Sequence, residues 1–306
     1  MSTVSGEIGG VVSQGQQSDI LVIGHGARAG WVRPWARLLR SEIRIVFLRP
    51  RNLALLGVLG AAPIFLGIVL RISPPGPGAA EGPGSALIMQ VAGNGVFLSV
   101  ASMFFLLALM LPLAIAVVSG DSVAGEAGLG TLRTLLIVPA GRVRLLAVKY
   151  LVVVTFCLAA CALVAGIGLI MGALLFPVGR VTLLSGDTVS LAAGLARVAM
   201  IVGYVAAALA ALGAIGLALS TFSQHAIAVM AATLVVVVVS YILDSVSQVA
   251  AIHPVLPTHF WLAFDGLLRM PIDWSGMLHG LASFAAYAVI FGAVAVARIR
   301  RANVTC

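Results

Sequence analysis

Charge is scarce in this sequence: 9% of its 306 residues are Asp, Glu, Lys or Arg, where an ordinary soluble domain carries about a quarter. A water-soluble fold of this length could not cover its surface with so few. Lysine is all but missing, Lys149 standing alone beside seventeen arginines. That excludes a P-loop, which needs G-x-x-x-x-G-K-[ST] so that its lysine reaches the terminal phosphates, because Tyr150 follows Lys149. An H-E-x-x-H motif is also absent. Of the three cysteines, Cys157 and Cys161 lie one helical turn apart in an apolar run without ligand-spaced partners and read as reduced, packed side chains, and Cys306 lacks the C-a-a-X spacing of prenylation. The N-terminus has no basic start followed by an apolar core and a cleavage site, so 1–30 is expected to be a disordered cytoplasmic tail.

What is present is apolar. Hydrophobic residues make up 61% of the chain and mean hydropathy is +1.15. Uncharged runs long enough to cross a bilayer predict an all-α polytopic membrane protein of six spans, at about 53–71, 94–118, 149–175, 191–219, 226–244 and 278–297. Pro63 and Pro112 are expected to kink or interrupt the first two. The polar cluster 220–225 divides one overlong apolar stretch into the fourth and fifth spans. Before the first span, 31–51 reads as an amphipathic helix lying in the membrane interface, with Trp31 and Trp35 on its oily side and Arg37, Arg40 and Arg44 on other faces. Between spans five and six, 246–277 is too rich in proline for a span and too apolar for a free loop, and predicts short helices at the outer face.

The arginines orient the chain. The N-terminal flank, the 120–149 loop and the C-terminal end from Arg298 onward carry fourteen of the eighteen basic residues. By the positive-inside rule these segments face the cytoplasm, and six spans bring both termini there. Such clustering reports topology and not a nucleic-acid surface, so no nucleic-acid partner is expected. Arg197, near the start of span four, is expected to snorkel to the outer interface.

The most informative stretch is 120–150, GDSVAGEAGLGTLRTLLIVPAGRVRLLAVKY. Asp121 or Ser122 supplies a helix start, Leu129, Leu132 and Leu136 an oily face, and Pro139 a stop. Such a helix is suited to be docked on, by a membrane surface or by a soluble partner.

With Glu126, Gly130-Thr131, Leu135-Leu136, Pro139, Arg142 and Lys149 in order, this segment resembles the cytoplasmic loop of ABC-2 type permeases, the membrane subunits of ATP-binding-cassette exporters. The segment 253–274 is similar to the outer segment of some bacterial members. The resemblance implies a permease subunit in a bacterial cytoplasmic membrane, not itself an enzyme. It would work as a dimer with a second permease copy or homologue over a separate ATPase subunit, which carries ATP and Mg, and would export a small hydrophobic or amphipathic compound. It also implies that 120–150 contains a coupling helix, with Glu126, Gly130, Thr131, Leu132, Arg133, Leu136, Pro139, Arg142 and Lys149 serving contact with the ATPase. No cofactor and no substrate residue is assigned to this chain. A secondary transporter, or an assembly or metal-handling protein without ATP, is the alternative. His253, His259 and His279, with Met270, Met277, Asp265 and Asp273, suggest a soft-metal site by residue type, but their irregular spacing favours interfacial packing, and no metal is assigned.

Overall fold

The computed structural model describes residues 32–74, 85–128 and 142–301. The whole of the expected 1–30 tail, with Trp31, Gly130, Thr131, Leu132, Arg133, Leu136 and Pro139, lies outside the described residues. The chain falls into two units, Met1–Leu38 and Leu39–Cys306. The first contributes only the opening turns of a helix, where Trp35 and Arg37 are placed by backbone alone.

The elements are α1 (Val32–Leu48), α2 (Pro50–Ile72), α3 (Ser85–Gly93), α4 (Val96–Ala108), α5 (Met110–Gly128), α6 (Arg142–Leu175), β1 (Val181–Thr182), β2 (Thr188–Val189), α7 (Leu191–Ser220), α8 (Ala226–Asp244) and α9 (Trp274–Arg301), with 3-10 helices at Ser247–Val255 and Ala263–Leu268 between α8 and α9. Five helices, α2, α6, α7, α8 and α9, are long and apolar enough to cross a membrane. Helices α4 and α5 together pass the same test but meet at 58°. The break falls at Leu109, three residues before Pro112. A proline ring collides with the carbonyl four residues back, here that of Ala108, and Pro112 itself sits harmlessly in the first turn of α5. Pro63, by contrast, lies inside an unbroken α2.

Other boundaries shift for local reasons. Helix α6 begins at Arg142, seven residues before the expected 149, and its 34 residues run about 50 Å at 1.5 Å each, well beyond an approximately 30 Å hydrocarbon core. The coupling-helix start expected at Asp121 or Ser122 is absent: α5 passes through both to Gly128, and Ser122 Oγ donates back to the Ser119 carbonyl at 2.6 Å. The fold is also not purely helical. Between α6 and α7 a two-stranded ribbon pairs Val181 with Val189 and Thr182 with Thr188, turning at Gly186, whose φ of +88° favours a residue without Cβ.

Among the five long helices α7 is the most enclosed, with 72% of its apolar window buried, and it packs on α5, α6 and α9 while α4 and α2 lean on α6 and α5 on α8. A close backbone crossing occurs at Gly95 and Gly172, where a Cβ on either would fall 2.2 and 2.0 Å from the other's carbonyl oxygen. These contacts give the bundle two recognisable ends. The basic end gathers the starts of α2, α6 and α8 and the finishes of α5, α7 and α9, with Val123, Leu146, Leu217, Ala218 and Ala295 in a small core of their own. The loop end carries the ribbon and both 3-10 helices, tied by Leu184 N–H to the Leu268 carbonyl at 3.0 Å.

Candidate functional site

Acids are few at the basic end, so each has several cations to choose from. Asp121, near the end of α5, accepts from Arg49 and Arg51, which flank the start of α2, the second at 2.5 Å. Glu42 on α1 pairs with Lys149 on α6 at 3.7 Å, and Lys149 is 5% exposed. The turn between α1 and α2 is closed by Asn52, whose Nδ2 donates to the Val46 carbonyl at 2.8 Å and which is itself buried. Below these charges Phe47 tilts against Phe156 of α6, ring centroids 5.5 Å apart. A cavity of about 20 Å³ is enclosed by Glu42, Arg49, Asn52, Asp121 and Lys149, room for a single water.

The consequence is mechanical. Helices α5 and α6, which bracket the segment 129–141, are each fixed by an ion pair to the α1–α2 corner. A force on either helix would therefore be shared with α1 and α2.

Of the residues expected from sequence to touch a partner, Lys149 is not a surface residue but a buried part of this junction. Glu126 and Arg142 are placed only by backbone, in the last turn of α5 and the first of α6. Arg40 and Arg44 are exposed on α1. Sequence reasoning missed Glu42, Arg49, Asn52 and the pairing role of Asp121. The scarcity of carboxylates among so many arginines was the signal that could have found the pairs.

At the loop end Arg197 is 7% exposed and does not snorkel. Its guanidinium donates to the carbonyls of Leu267 at 2.5 Å and Arg269 at 3.2 Å and touches Met270 Sδ at 3.2 Å, holding the second 3-10 helix on α7. The histidine group weighed from sequence separates. Asp265 pairs with Arg269, Met270 goes to Arg197, and His279 Nδ1 turns to its own helix at the Ser275 carbonyl. Asp273 is engaged by the N–H and hydroxyl of Ser275, which hold its carboxyl below the usual carboxylate range. Only His253 and His259 come together, and they do so around Asp244. Beside His259 a cavity of about 510 Å³ opens between Leu87, Phe104, Leu184, Phe260 and Phe264.

Residues 87–305 match the family described as Protein of unknown function (DUF2705). The chain belongs to that family. Its match takes in both polar clusters except Glu42, Arg49, Arg51 and Asn52, which precede it. A comparison with curated proteins finds no match.

Proposed function

We propose that this DUF2705 chain is the membrane subunit of an ATP-driven exporter, in which segment 129–141 receives the movement of a separate ATPase and the α1–α2 corner carries it into the bundle. The observation that carries the reading is the junction of Asp121 with Arg49 and Arg51 and of Glu42 with Lys149. A coupling segment is useful only if both helices leaving it are held to the rest of the spans, and three ion pairs do that here. The resemblance of 120–150 to ABC-2 type loops supplies the partner class.

In this reading α4 and α5 form one bent span, giving six, and the basic end faces the cytoplasm of a bacterial cell because arginines concentrate there. Helix α1 lies along the membrane surface, its exposed Ile45 and Leu48 entering the lipid boundary. A second copy or homologue completes the permease. The cavity at the loop end, apolar with His259 and Asp265 at its edge, falls within the size range of small-molecule sites and suits a hydrophobic or amphipathic cargo.

The test is purification of the full chain from its native membrane with identification of what accompanies it, followed by vanadate-sensitive ATP hydrolysis. A stoichiometric ATP-binding protein is expected, its activity depending on this chain and lost from the complex with Glu126→Arg or Leu132→Asp although the variants insert normally. A chain that comes out alone and inert, or variants with unchanged ATPase binding and turnover, would remove the exporter reading and leave ion-gradient flux as the next assay.

A further inference from the structure

Helix α8 ends on Asp244, and the segment that follows returns two histidines to it. His259 Nδ1 stands 2.6 Å from Asp244 Oδ1, His253 Nδ1 stands 3.9 Å from the same oxygen, and one ligand atom from each of the three residues lies within 4.8 Å of the others. The far side of His253 is also engaged. Its Nε2 is 3.2 Å from the Val246 carbonyl, which can only accept, so Nε2 is the donor there and Nδ1 is the nitrogen left to face Asp244. A ring nitrogen donating to a backbone carbonyl while the other faces a shared centre is how metal-ligating histidines are commonly held.

The three residues are also held in place from below. Ser240, one turn before Asp244 on the same face of α8, accepts from Thr258 Oγ1 at 2.8 Å, both residues being buried. Tyr241 meets Trp261 edge to face at 5.9 Å. His259 thus sits between two anchored residues, and His253 is tied to Val246. Asp244 itself occupies a helix C-terminus, where the last carbonyls disfavour a carboxylate and favour a cation beside it.

We propose that Asp244, His253 and His259 bind one divalent first-row transition metal, Zn²⁺ fitting best, which clips the end of α8 to residues 247–262. Two imidazoles and one carboxylate suit Zn²⁺ and its neighbours, whereas Ca²⁺ and Mg²⁺ take oxygen ligands. Ligands at about 2.0 to 2.1 Å from a tetrahedral zinc stand about 3.3 Å apart. The Asp244 to His259 distance therefore opens from 2.6 Å and that to His253 closes from 3.9 Å, each by less than about 1 Å. The metal replaces the proton now between Asp244 and His259, which moves to Nε2 of that ring and leaves it neutral. A water completes the fourth position. The side chains are 17 to 32% exposed, open enough for an ion to enter from solvent. This site goes beyond the exporter reading and does not depend on it.

The test uses the full chain, purified in detergent with a tag free of histidine and stripped with chelator, titrated with ZnCl₂ in a calorimeter and checked by elemental analysis. One zinc per chain is expected, with a rise in unfolding temperature. His253→Ala and His259→Ala each weaken binding about tenfold or more, and His279→Ala leaves it unchanged. X-ray absorption of zinc-loaded wild-type protein, which needs no variant to fold, should show two imidazoles per metal. No zinc uptake by the wild type, one imidazole or none in its spectrum, or binding lost with His279→Ala and kept without His253 and His259 would each overturn the assignment.

Discussion

Replacing Asp121 by Asn keeps the volume of the side chain and one acceptor oxygen and removes the charge that two guanidiniums share. Hydrogen bonds to charged groups contribute about 1.5 to 3 kcal/mol each when shielded, and exposed ion pairs about 0.2 to 1 kcal/mol. Asp121 is 14% exposed while Arg49 and Arg51 are 36 and 42% exposed, so the arginines recover part of their hydration when the carboxylate is gone. The two contacts together are then worth about 1 to 2 kcal/mol, a factor of roughly 5 to 30 in the ratio of closed to open protein. Cys157 and Cys161 are fully buried on α6, the first next to Phe156, which meets Phe47, and the second just over one turn further on. In a Cys306→Ser background, labelling of these two thiols by a maleimide should accelerate by that factor in Asp121→Asn. The same measurement on Arg49→Gln and on the double variant closes a cycle. If the two changes add to within about 0.3 to 0.5 kcal/mol, the pair is not an interacting unit and the mechanical argument built on it fails.

Two further changes probe the bundle elsewhere. Arg197→Met removes the donors that hold the Leu267 and Arg269 carbonyls; an unsatisfied buried acceptor costs about 1 to 3 kcal/mol, so trypsin should cut after Arg269 roughly tenfold faster than in the wild type, and an unchanged rate would show that the second 3-10 helix is held by packing alone. Gly172→Val drives side-chain atoms into the Gly95 backbone, where even a Cβ would sit 2.0 Å from the carbonyl oxygen; backbone cannot yield as a flexible side chain does, so a loss of more than about 3 kcal/mol should appear as aggregation on gel filtration, and a monodisperse variant of wild-type melting temperature would refute the close crossing.

The long helices were legible because runs without charge are bounded by arginines and need no tertiary information to be read. The polar junction was less so. Asp121 followed by Ser122 reads locally as a helix start, but the Asp121 oxygens are engaged by Arg49 and Arg51, 72 and 70 positions away, and a window along the sequence does not contain them. Arg197 misled in the same way: snorkelling is the cheapest outcome for an isolated arginine near a span end, and only the return of 263–270 over α7 offers it carbonyls instead. The ribbon at 181–189 had a signal in Ser185, Gly186 and Asp187, a turn composition, but strands of two residues carry no periodicity. His253 and His259 stood out by type; Asp244, closing α8, did not.

The two polar clusters share a physical feature that ties them to function. Helix α2 opens with Arg49 and Arg51 and no acid in its first turn, and α6 likewise opens on Arg142 and Arg144 with no acid there, although a helix N-terminus favours negative charge. Helix α8 makes the opposite violation, closing on Asp244. For α2 and α8 the compensating charge or ligand comes from another element, Asp121 of α5 for the first and two histidines of the 247–262 segment for the second, while on α6 Glu42 of α1 meets Lys149, two turns beyond the opening arginines. A helix whose own end carries the unfavourable sign gives up stability unless that partner is seated, so the order of these ends depends on contacts between elements. Local rules broken with a distant compensation are expected where a protein is functionally constrained. Here they fall near the helix ends that flank 129–141 and where residues 247–262 meet α8, places at which movement of one element would be felt by another.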